Sequence, residues 1–203
     1  MNRVDKIFFL LGPVFYSLVF AATSPTIRVW FMSAIDPKIV AIANLLETLL
    51  AAVVFFSFTK EELQDKYRHW FIPIVVIDCT LFAGISITGL SYPEIRFIGF
   101  SFINAVSTSI WFMIMRNALN RVIIDGDQRT AFDGLERTAC FVAGFCGGLI
   151  AYFTTTRDVE VVQLCVFAQC IANAVMGIAD IYAFNRLKKR QQKIQGLPIN
   201  NGR

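Results

Sequence analysis

Five residues whose side chains can do polar chemistry sit inside apolar runs of this chain. Arg28 lies near the far end of the first run, three residues after Pro25. Glu47 lies near the middle of the second, with Asn44 three residues before it and therefore on the same helical face. Asp78 falls in the third run, and Arg96 and Asn104 fall in the fourth. A charge at the centre of a membrane span costs about 2.5–3.5 kcal/mol on insertion scales, so each of these residues needs a cavity, a partner or a route to the headgroups. The two arginines share a pattern, Pro25-Thr-Ile-Arg28 and Pro93-Glu-Ile-Arg96. It fits an outward vestibule that attracts anions or pairs with Glu47, and equally a long side chain snorkelling to the outer headgroups. Glu47 is too short to snorkel from mid-depth, so it is expected to face a cavity or an arginine, with Arg28 the first candidate. Asp78 fits either a cap to neighbouring helices or a protonatable site. Asn104 fits polar glue between helices. In the last apolar run Gln169, Asn173, Gly177 and Asp180 share a face, and Asp180 is expected to be exposed at the cytoplasmic end.

Other chemistries find no support. There is no phosphate loop, nucleophile elbow or H-E-x-x-H, so no enzyme activity is expected. Cys79, Cys140, Cys146, Cys165 and Cys170 all lie in apolar segments without a C-x-x-C pair, and His69 is the single histidine. They read as small buried hydrophobes; no metal site, disulfide framework or cofactor is implied. The net charge of +4 does not point to nucleic acid, because the bases lie in loops and the C-terminal tail.

The elements that must position these residues are membrane helices. A chain that is 56% hydrophobic with a mean hydropathy of +0.57 exceeds what a soluble domain of this size carries. Six spans are expected, at about 7–32, 39–58, 71–90, 93–115, 134–155 and 159–184, each long enough for ~30 Å of hydrocarbon. The first is read as a retained span rather than a cleaved signal. Residues 1–185 then form one six-helix transmembrane domain and 186–203 a basic cytoplasmic tail. Bases concentrate on one side: Arg3, Lys6, Lys60, Lys66, Arg68, Arg116, Arg121, Arg129 and Arg137, with Arg186, Lys188, Lys189, Arg190, Lys193 and Arg203 in the tail. Lys38 and Arg157 are the loop bases opposite. That asymmetry puts both termini in the cytoplasm and the chain, as a multi-pass protein, in a cell membrane, with a bacterial inner membrane the expectation.

The stretch 116–151 is expected to organise the bundle. Its first part, with Arg116, Arg121, Asp125, Asp127, Arg129, Asp133, Glu136 and Arg137, reads as a surface loop. Its second part carries two small-residue rows at a spacing of four: Cys140, Gly144, Gly148, and Ala139, Ala143, Gly147, Ala151. Such rows let helix backbones approach closely in a bilayer, so Cys140, Gly144, Gly147 and Gly148 are candidates for a helix-packing or dimer interface.

The six-span layout resembles one six-helix half of a major facilitator superfamily (MFS) transporter. That family carries G-x-L-A-D-R-x-G-R-R after its second helix; here Glu61-Glu62-Leu63-Gln64-Asp65-Lys66-Tyr67-Arg68-His69 keeps the Leu, the Asp and one base but neither glycine. Arg116 matches the arginine that often ends the family's fourth helix, and Gly144-Phe-Cys-Gly147-Gly148 its glycine-rich fifth helix, without the usual proline. The resemblance implies a cytoplasmic charge cluster of Asp65, Lys66 and Arg116. It implies that helices one and four line a pathway, with Arg28, Arg96 and Asn104 on it, while helices two and five face a second half. Since the family has two such halves, it implies a homodimer or a protein that no longer transports. The substrate-binding component of vitamin importers also has six spans, but its A-x-x-x-A motif on the first helix is missing here.

Two functions are expected to compete. One is transport of a small solute or drug by a homodimer, with Glu47 and Asp78 coupling proton movement to it. The other is a non-transporting interaction protein (an immunity, assembly or regulatory factor) that binds another membrane component. The partners expected are the lipid bilayer, a second copy or another membrane protein, and a small molecule.

Overall fold

A computed structural model describes residues 3–57, 76–77, 92–110 and 126–194. Among these residues the regular structure is all helical, in five helices and without strands: α1 (Arg3–Ala34), α2 (Pro37–Ser57), α3 (Pro93–Ile110), α4 (Gly126–Thr154) and α5 (Val159–Ile194). Four of them contain segments long and apolar enough to cross a membrane: Leu10–Ala34, Pro37–Ser57, Arg129–Thr154 and Val159–Ala183. Their outward faces carry large apolar side chains, with Phe56 82% and Phe153 81% exposed. A helix that is apolar on its solvent side is compatible with contact to lipid rather than water.

Helix ends follow local chemistry. Asp36 caps α2: its Oδ1 accepts the Lys38 backbone N–H at 2.8 Å, and Pro37 supplies the preset φ of a first helical residue. Asp158 caps α5 in the same way, accepting the Glu160 N–H at 3.0 Å. Tyr92, just before Pro93 at the start of α3, has a φ of 55°, in the left-handed region that only glycine enters freely. Along the helices, hydroxyls turn back onto carbonyls one turn earlier: Thr23 onto Val19 at 2.7 Å, Thr48 onto Asn44 at 2.9 Å and Thr155 onto Ala151 at 2.6 Å. Donors committed within their own helix need no water.

Among the described residues the hub is α1; residues 116–125 of the stretch expected to organise the bundle lie outside them. α1 packs along both α4 and α5, while α2 packs on α3. Close approach depends on two glycines. A Cβ at Gly147 on α4 would run into the Leu18 carbonyl oxygen and stand 2.9 Å from the Ala21 Cβ. A Cβ at Gly12 on α1 would stand 3.0 Å from the Met176 Cα on α5. Pro25 lies inside α1 and has no N–H to offer the Ala21 carbonyl, one turn from that contact. At the end where α1 turns into α2, Ile27, Phe31 and Ile35 form a buried cluster with Val162 and Val166, flanked by Trp30, Ile39, Val40 and Phe97.

Two boundaries and one burial differ from the expectations. α4 begins at Gly126, so the charged residues 126–133 are its first turns and not a loop. The reason lies on one face: Phe132 and Glu136, four apart and both buried, continue into the buried Ala143, Gly147 and Ala151, while Arg129 and Arg137 point outward. α5 runs through residue 186 to Ile194, so the first bases of the tail extend the last helix. Asp180 is 1% exposed, against the expectation of an exposed site, because it shares the face of α5 that holds the buried Gln169 and Asn173. Of the expected third span only residues 76–77 are described, as helix; the rest of 71–90 and residues 111–115 lie outside the described residues.

Candidate functional site

Between the α1–α4–α5 group and the α2–α3 pair lies a cavity of about 720 Å³. It exists because small side chains face one another there. α3 contributes Phe97, Ser101, Ala105 and Ser109, each four residues after the last. α2 contributes Val40, Asn44, Glu47, Thr48, Ala51 and Phe55, a single helical stripe. α1 contributes Phe20, Ser24, Ile27, Arg28, Phe31 and Met32, and Gln169 reaches in from α5. Ser24, Ala51, Ser101, Ala105 and Ser109 leave the space; the phenylalanines give it apolar walls.

Two opposite charges therefore share the cavity, from different helices. Arg28 on α1 is exposed to it and Glu47 on α2 is half-buried. Among the described residues no ion pair joins them, although Glu47 takes part in another polar interaction. Asn44 and Ala51 line the cavity with Glu47. The hydroxyl proton of Thr48 is committed to the Asn44 carbonyl, so its oxygen offers only lone pairs to a guest. Gln169 connects the cavity to the helix interface behind it: its Nε2 donates to Thr23 Oγ1 at 3.0 Å, in a buried bond that ties α5 to α1. Thr26, 1% exposed, has a hydroxyl that makes no well-formed hydrogen bond among the described residues; the Cys165 thiol lies alongside it.

The remaining candidates are dispersed. Arg96 is half-buried and lies off the cavity: the face α3 turns inward passes through Phe97, and one residue rotates a helix by about 100°. Arg96 makes an interaction of its own. Asn104 lies on α3, its side chain outside the described residues, as are Asp65, Lys66, Asp78 and Arg116 altogether. The four small residues proposed for one interface divide. Gly147, with Ala143 and Ala151 of its row, is buried on α1. Gly144 and Gly148 have nothing within 4 Å of a notional Cβ, and Cys140 on the same row is half-buried.

Sequence reasoning missed the part of Ser24, Thr48, Ser101 and Ser109 in forming the cavity. Single hydroxyls in a helix carry little signal, though the spacing of four on α3 was visible. It also placed Glu136 in a loop, where the structure buries it at 5% exposure with an interaction of its own. Chemically the arrangement can bind a small molecule through charge and hydrogen bonds; among the described residues no group of three or more His, Cys, Asp or Glu could hold a metal ion. Comparison of the chain with models of protein families, with curated proteins and with solved structures gives no match.

Proposed function

We propose that this chain is a six-span protein of the cell membrane, both termini in the cytoplasm, that binds a small solute in the α1–α2–α3 cavity and moves it across the bilayer. The observation that supports this reading is the cavity itself, with Arg28 and Glu47 facing it from helices that are long and apolar enough to cross a membrane. Charges in such segments are costly, and those that persist there mark substrate or ion pathways. In this reading Glu47, with Asp78, takes up and releases the coupling proton, in the manner of one half of a major facilitator transporter. Two copies complete the pathway in a bacterial inner membrane. The open positions Gly144 and Gly148 support the dimer, since glycines with nothing against them leave room for a second helix.

Reconstituted vesicles loaded with a pH-sensitive dye test this. A solute added outside should change the internal pH in wild-type vesicles and leave it unchanged with Glu47→Gln. An internal pH that no solute moves, from protein shown to be folded, would remove the transport reading. A reporter that is active only outside the cytoplasm, fused after residue 203, should stay silent.

The same open positions favour a second reading, a non-transporting protein that docks on another membrane protein. Native mass spectrometry from the membrane separates the two. A mass of two copies favours the transporter; one copy with a different protein, lost in Gly148→Leu, favours the docking protein.

A further inference from the structure

We propose that the cavity takes a zwitterionic solute with an apolar body, its carboxylate held by Arg28 and its ammonium by Glu47 and Thr48. The proposal rests on the solute-binding reading above and gives the ligand its chemistry. Arg28 supplies a planar fork of donors that matches a carboxylate in two parallel hydrogen bonds. Across the cavity α2 offers acceptors: the Glu47 carboxylate, with about four lone-pair sites, and the Thr48 oxygen, whose proton is already given to Asn44. The other interaction of Glu47 leaves room for an ammonium, because a carboxylate accepts several bonds at once.

Position supports the same pairing. Arg28 lies six residues before the end of α1 and Glu47 ten residues after the start of α2, and both line the one cavity from different walls. A small amphoteric molecule in that cavity has one wall for each of its charges, with hydrogen bonds at both ends. A guest of one sign would satisfy one wall and be repelled by the other, in a site where an uncompensated charge is expensive. Phe20, Phe31 and Phe97 surround the apolar body, and a volume near 720 Å³ suits a small organic molecule.

Three probes with one phenyl body test the claim on the full chain in nanodiscs: L-phenylalanine, phenethylamine and 3-phenylpropionate. L-Phenylalanine should bind about tenfold or more tightly than either singly charged probe, the difference one charge-assisted contact makes. Arg28→Gln should weaken L-phenylalanine about tenfold and bring it level with phenethylamine. Glu47→Gln should bring it level with 3-phenylpropionate. Arg28→Lys, which keeps the charge and loses the fork, should fall between. If Arg28→Gln does not fold, the comparison of the three probes on wild-type protein decides alone. Equal binding of a singly charged probe, or no binding of L-phenylalanine by wild type, overturns the proposal. The transport reading fails separately: L-phenylalanine bound in nanodiscs but leaving the internal pH of vesicles unchanged keeps the zwitterion site and removes coupled transport.

Discussion

Gly147 and Gly148 are neighbours in sequence and opposites in environment. A methyl group at 147 meets the Leu18 carbonyl oxygen, part of a backbone that cannot rotate aside, whereas at 148 it meets open space. Gly147→Ala should therefore destabilise the protein by about 1–3 kcal/mol, read as a lower Tm in detergent. Gly144→Ala and Gly148→Ala should stay within about 0.5 kcal/mol of wild type, unless a second chain sits there, in which case they change the oligomer and not the fold. A second residue-level prediction concerns the bond from Gln169 to Thr23. Gln169→Leu leaves Thr23 its own bond to Val19, so the loss is one buried hydrogen bond, about 1 kcal/mol. A double-mutant cycle with Thr23→Ala should return a coupling of about that size. The same test on Arg28 and Glu47 should return less than a buried ion pair would, because the cavity separates them. Arg28 was already legible in the sequence as the first candidate partner of Glu47. That a cavity, and not an ion pair, lies between them was not, since it depends on how α1, α2 and α3 are placed in space.

At the scale of the helix, apolar content announced where most elements lie but not where they stop. The expected start at 93 agrees with α3 because Pro93 follows a turn residue, and the expected 39 is near Pro37 because Asp36 and Pro37 form a cap. The start of α4 was missed by eight residues, from 134 to Gly126, because charges were counted instead of placed on faces. Arg129 and Arg137 are bound for water or headgroups, while Phe132 and Glu136 extend the buried face. Ala131→Pro distinguishes helix from loop. Ala131 is exposed, so the substitution displaces no core atom, yet it removes an N–H well inside α4 and should cost about 3 kcal/mol or more. A loop would accept it with little change in Tm. At the start of α5, Asp158→Ala should cost about 1 kcal/mol, the usual size of a lost cap.

At the scale of the whole molecule the described helices divide into a hub with two partners and a pair beside it, and the cavity is the gap between them. The membrane class was legible from composition alone. The central place of α1 was not, because nothing in the sequence before residue 35 names its partners. Gly12 is an isolated glycine until Met176 lies against it. That arrangement has a consequence in time. Thr23 and Gln169 stand 146 residues apart. At about 5–20 residues per second, a ribosome needs roughly 7–30 s to make the chain between them. During that interval α1 holds Gly12 and Thr23 without the α5 surface built to receive them. The helix on which α4 and α5 both pack thus waits for its second partner, exposed to insertion factors and proteases until α5 is made.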